Sequence, residues 1–151
     1  MADYPTLSKT IAALTDGETD VVALMATLAC EIHHADERFH WTGFYRVVAP
    51  ELLKIGPYQG GHGCLAIPFS RGVCGAAART GKTQLVPDVE AFPGHIACSS
   101  STRSELVIPV HDGAGRLLGV LDIDSDLPDA FTQADADALT AILTDVFGRI
   151  C

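Results

Sequence analysis

Between positions 19 and 33, Val21, Leu24, Met25, Leu28 and Ile32 recur at steps of three and four. This spacing predicts a helix with one apolar face, capped by Thr19 or Asp20. The period then changes. Residues 41–48 are aromatic and β-branched and predict a strand. Leu52 to Tyr58 is its hairpin partner, with Ala49-Pro50 near the turn. Gln59 to Gly63 is a glycine-rich loop, 65–69 a short apolar strand or turn, and 72–81 a short helix stopped by Gly81. A short strand at 83–87 precedes a long polar stretch, Asp88 to Ser101, of the kind that is usually functional or disordered. Strands at 104–110 and 116–124 flank the turn His111-Asp112-Gly113-Ala114-Gly115. The last helix begins at Thr132, with Asp135 completing a capping box, and runs to about Gly148. Its buried stripe is Leu139, Ile142, Leu143, Val146 and Phe147. Hairpins imply antiparallel pairing, so the pattern predicts an α+β fold, an antiparallel sheet flanked by helices.

Composition adds exclusions. With 151 residues, 48% of them apolar, the chain is expected to form one domain over 1–151 and not to be disordered. No window approaches about 18 uninterrupted apolar residues, and Met1 to Pro5 has no secretory character, so neither a membrane span nor export is expected. The net charge of −9 disfavours a nucleic-acid partner. Five cysteines are an odd count without an export signal. They predict reduced thiols in a cytoplasmic compartment, not a disulfide scaffold.

Candidate chemistry sits first in the last strand. Alternation places Leu118, Val120, Asp122 and Asp124 on one face and Gly119, Leu121 and Ile123 on the other. Two carboxylates on one face lie roughly 6.5–7 Å apart along the strand. Either that face is buried and the acids need partners, or the strand frays after Leu121 and they are solvated. Glu105 lies out of phase with Leu106, Ile108 and Val110. Trp41, Gly43 and Tyr45 share a face of the first strand. Periodicity does not say whether these faces coincide.

Among the cysteines, Cys30 reads as helix packing and Cys151 as an incidental terminal residue. Cys64 adjoins the glycine loop. Cys74 falls at a helix start, where the dipole favours a thiolate, and Cys98 is followed by hydroxyls, Ser99 to Thr102. Zinc is one reading of these three, with His62 or His95 as a further ligand, but the spacing contains no Cys-x-x-Cys knuckle. Another is redox, one nucleophilic thiol with one or two that resolve it. Passive packing is the third.

Taken together, His40-Trp41-Thr42-Gly43-Phe44-Tyr45, Gly56-Pro57-Tyr58-Gln59-Gly60, Cys64, Arg71-Gly72-Val73-Cys74-Gly75, His95-Ile96-Ala97-Cys98, Ser104-Glu105 and Gly119-Val120-Leu121-Asp122-Ile123-Asp124-Ser125 resemble the free methionine-(R)-sulfoxide reductases, which are single GAF-domain enzymes. The resemblance runs from about Thr6 to the last helix. It implies a GAF-like fold, with Cys98 as nucleophile and Cys64 and Cys74 as resolving and recycling thiols. It also implies that Glu105, Asp122 and Asp124 hold and protonate the substrate and that Trp41 and Tyr45 form part of the pocket wall. The chain departs from the family pattern at Ser99, where an acidic residue is usual. The implied reaction reduces free methionine sulfoxide through a cysteine sulfenic acid and a disulfide. An external dithiol such as thioredoxin recycles it, with no metal or organic cofactor. Clustered carboxylates suit the ammonium of a free amino acid and can keep a proton for the departing oxygen. Preference for the R epimer rests on the resemblance, and the sequence leaves monomer and homodimer both open. Because GAF folds also serve as sensors, a ligand-binding or redox-sensing module is the alternative function.

Overall fold

The computed structural model describes residues 1–151. Its elements run α1 (Tyr4–Leu14), α2 (Val21–His33), β1 (Trp41–Ala49), β2 (Leu52–Gln59), β3 (Ala66–Pro68), α3 (Gly72–Thr80), β4 (Gln84–Val86), β5 (Ser104–His111), β6 (Leu117–Ser125) and α4 (Gln133–Phe147). The strands form one antiparallel sheet in the order β3-β2-β1-β6-β5-β4. The expected α+β architecture is present. No helix is long and apolar enough to cross a membrane.

Each sheet face carries its own core. On one face, Leu24, Leu28 and Ile32 of α2 and Leu139, Leu143 and Phe147 of α4 pack on Phe44, Leu106, Ile108, Leu121 and Ile123. On the other, Val73, Cys74, Ala77 and Ala78 of α3 pack on Trp41, Tyr45, Val107 and Val120. The caps match their sequence signals. The Asp20 carboxylate accepts from the Ala23 amide at 2.9 Å, and Thr132 and Asp135 form the reciprocal box on α4. Gly81 ends α3 in the left-handed conformation, with φ of 69°.

Two features depart from expectation. Helix α1 has no counterpart in the periodicity because only Leu7 and Ile11 are buried in it. Its signals are local: Asp3 caps it through the Thr6 amide at 3.1 Å, and a proline stands in its first turn. Leu118 is the second. The β5–β6 register pairs Val110 with Gly119 but His111 with Leu117, so Leu118 is an extra residue in β6. This bulge breaks the alternation, and Leu118 packs on the α2/α4 face with Leu121 instead of sharing a face with Val120 and Asp122.

Candidate active site

Sheet register explains why distant residues meet. In one row across three strands, Trp41 pairs with Asp124 and Asp124 with Glu105. In the next, Gly43 pairs with Asp122 and Asp122 with Val107. Side chains directly opposite on one face stand within about 5.5 Å at Cβ, so the faces left unrelated by periodicity coincide. Strand β6 does not fray, since its pairing continues to Ser125. All three carboxylates therefore face the α3 side, where Asp122 is 4% and Glu105 6% exposed and Asp124 is half-buried. One oxygen each on Asp122 and Asp124 is buried with no N–H or hydroxyl donor against it, so the acids of this cluster have only one another and the Cys74 thiol to share protons with. Such orphaned acceptors are costly unless something supplies a donor.

Electrostatics follow from this placement. Burial, reinforced by neighbouring carboxylates, pushes Glu105, Asp122 and Asp124 well above the usual carboxylate range. Cys74 sits third in α3, 4% exposed, with Sγ 3.9 Å from Glu105 Oε2. Burial, then Asp122 and Glu105, push its thiol up. The expectation that the helix start makes Cys74 a thiolate is therefore corrected, because desolvation and nearby carboxylates outweigh the dipole.

Aromatic rings wall the other side. Trp41 stacks between Tyr45 and Tyr58, with centroids 5.9 and 5.3 Å away, and its Nε1 donates to the Gly61 carbonyl at 2.7 Å. The ring lies over Gly43, where a Cβ would come within 2.8 Å of Trp41 Cζ3 and 2.5 Å of Tyr58 Cβ. Gly43 is thus the absence of a side chain that lets Trp41 lie flat beside the Asp122 row.

The long polar stretch closes the site. It includes a single 3-10 turn, Val89–Ala91, and is tethered where the Gly72 amide donates to the Gly94 carbonyl at 3.1 Å. Ile96 rests on Gly72, whose φ of 70° and lack of Cβ permit the approach. Cys98 thereby reaches the cavity rim and is disulfide-bonded to Cys64, with Cα atoms 5.3 Å apart. The thiols are therefore not all free as expected. Cys74 remains free and buried, Cys30 is half-buried instead of packed away, and Cys151 is exposed. The hydroxyls of Ser99 and Ser101 bond each other at 3.0 Å instead of serving Cys98.

A cavity of about 290 Å³ results, lined by Trp41, Tyr45, Cys74, Cys98, Glu105, Asp122 and Asp124 among others. Of the eight candidate residues, Cys64 alone is not in its wall and touches it only through Cys98. His95, a candidate zinc ligand and part of the stretch His95-Ile96-Ala97-Cys98, also lines it, with Nε2 3.7 Å from Glu105 Oε1. Burial lowers the His95 pKa, which favours the neutral imidazole. The zinc set of three cysteines does not assemble, because two of them are bonded to each other. Ligand atoms of Cys74, Glu105 and Asp122 do lie within 4.8 Å of one another, a spacing that would suit a cation.

The GAF domain family model matches residues 15–146. A free methionine-R-sulfoxide reductase of Saccharomyces cerevisiae is 42% identical over 132 residues, covering 83% of this chain and 73% of the relative. Another, from Escherichia coli, is 36% identical, covering 95% and 86%. The chain belongs to the free methionine-R-sulfoxide reductase family of GAF-domain proteins. The X-ray structure of such a reductase from Neisseria meningitidis, in complex with its substrate, superposes with a TM-score of 0.90 at 41% identity, covering 97% of this chain and 87% of that one. Membership of the reductase family agrees with a cavity that combines cysteines, buried acids and an aromatic wall.

Proposed function

We propose that this chain reduces the free amino acid methionine R-sulfoxide to methionine, with Cys98 as nucleophile. The observation that carries the proposal is the pair of orphaned buried oxygens on Asp122 and Asp124, beside the cysteine at the cavity rim. A substrate ammonium supplies the missing donors, and its charge offsets the crowding of three buried acids. A peptide-bound or N-acetylated methionine sulfoxide has a neutral amide there and leaves those oxygens unpaired.

In the reduced protein, the Cys98 thiolate attacks the sulfoxide sulfur. The sulfoxide oxygen takes up two protons and leaves as water, so an acid is needed nearby. Glu105, whose pKa burial raises, suits that role, and His95 at 3.7 Å suits return of the proton from the solvent side. Trp41 packs on the S-methyl group and favours the positive charge developing at sulfur. Water then attacks the Cys98 sulfur, which releases methionine and leaves a sulfenic acid. Condensation with the Cys64 thiol expels water and forms the Cys64–Cys98 disulfide. The net change is sulfoxide and two thiols to thioether, disulfide and water. Thioredoxin, as an external dithiol, restores the thiols by exchange.

Cys98→Ser tests the nucleophile. The reduced variant should release no methionine from free methionine R-sulfoxide, even in a single turnover with dithiothreitol. Wild-type turnover by this variant would refute the assignment.

A further inference from the structure

The two half-buried cysteines of the disulfide lie in segments without charged side chains. These segments, residues 59–70 and 91–102, contain no Asp, Glu, Lys or Arg, although 19% of the chain is charged and its net charge is −9. The charged residues directly flanking them are Glu90, Arg71 and Arg103, all exposed. Leu65, immediately after Cys64, is 74% exposed, the most exposed large apolar side chain after the initial Met1. Ala66, next to it in the chain, and Ala97, next to Cys98, are also exposed, and β3, which starts at Ala66, is an edge strand.

We infer that this uncharged face, centred on Leu65, is where a protein dithiol docks to reopen the disulfide, and that its attack falls on Cys64. The inference rests on the reductase function proposed above. An attacking thiolate is an anion, and most of a −9 surface repels it. These two segments hold no carboxylate, and of the three charged residues directly flanking them two, Arg71 and Arg103, are cationic and one, Glu90, is acidic. A projecting leucine next to the sulfur under attack is the kind of apolar anchor that a transient protein partner buries, while a small-molecule dithiol has no use for it. Cys98 lines the cavity and Cys64 does not. Attack on Cys64 therefore forms the mixed disulfide on the outer sulfur and releases Cys98 as a thiolate into the cavity. The second thiol of the partner then attacks the mixed disulfide at the partner's own sulfur. This frees Cys64 as a thiolate, which takes up a proton, and leaves the partner oxidised.

Turnover of free methionine R-sulfoxide is measured in wild type, Leu65→Glu and Leu14→Glu. One series is driven by thioredoxin with its reductase and NADPH, the other by dithiothreitol. Leu14 is 60% exposed at the end of α1 and serves as a control for an added surface charge. Leu65→Glu should lower kcat/KM for thioredoxin at least about tenfold while leaving the dithiothreitol rate unchanged, and Leu14→Glu should change neither. An unaltered thioredoxin rate in Leu65→Glu, an equal loss with both reductants, or a wild type driven by dithiothreitol but not by thioredoxin would each overturn the docking face. A wild type inactive with dithiothreitol would instead overturn the reductase reading, and this inference with it. A thioredoxin that keeps only its attacking cysteine should be captured on Cys64 by peptide mass. Capture on Cys98 would overturn the assignment of the attacked sulfur.

Discussion

Asp122 answers two opposed demands. Buried with one unpaired oxygen, it costs stability in the ligand-free protein, yet that same oxygen is what an ammonium would bind. Asp122→Asn should therefore raise stability at pH 7 by on the order of 1 kcal/mol while lowering kcat/KM at least about a hundredfold. Thermal unfolding and steady-state assays on one preparation check both halves. The thiols separate in a similar way. Cys64→Ser should still release one equivalent of methionine and stop at a sulfenic acid that dimedone captures. Cys74→Ser should complete the first turnover and lose two titratable thiols, because the bonded pair is Cys64–Cys98. At this scale the sequence was informative about chemical type but not about pairing. Three cysteines and three acids were visible as candidates. Which sulfur meets which depends on a loop packed over Gly72, and no periodicity encodes that. The pairing of His95 with Glu105 was hidden for the same reason, since Glu105 belongs to a strand that only the fold brings near.

Elements were legible where burial imposed a period. Helices α2 and α4 bury the stripes their spacing predicts, and β1 and β5 alternate as written. Alternation failed at Leu118 because a bulge consumes one residue without altering composition, and α1 escaped because two buried residues make no stripe. Gly43 shows how an element shapes the site. Gly43→Ala would drive a methyl into Trp41 and Tyr58, so KM for the sulfoxide should rise by about tenfold or more with the fold retained. At the start of α4, Asp135 is fully buried, where Arg38, the Tyr4 hydroxyl and the Thr132 amide bind it at 2.7–2.9 Å. Burial alone would raise its pKa, but these donors outweigh burial and hold it well below the usual range. Asp135→Asn should cost about 3 kcal/mol at pH 7, as for other broken buried pairs.

For the whole molecule, the two sets of buried acids impose opposite pH dependences. Asp135 is depressed in the folded state, so its contribution persists above about pH 4 and is lost only as pH falls below that, toward its folded value. Glu105, Asp122 and Asp124 are raised, so the folded state binds more protons than the unfolded one above about pH 4. Stability should therefore decline as pH rises from there toward neutrality. Unfolding curves from pH 4 to 8 should show this decline in wild type and a shallower one in Asp122→Asn; identical slopes would contradict the assignment. The −9 charge, read at first as grounds against a nucleic-acid partner, thus conceals a local requirement for a cation inside the cavity. The most direct test of that claim is a competition. The reduced protein, with dithiothreitol, is given free L-methionine R-sulfoxide, the S epimer and N-acetylmethionine R-sulfoxide, and the disappearance of each is followed by chromatography. Consumption of the free R form, with the other two at least about a hundredfold slower, is the predicted result. Equal consumption of the N-acetylated form, or binding of the free form without turnover, would contradict the account.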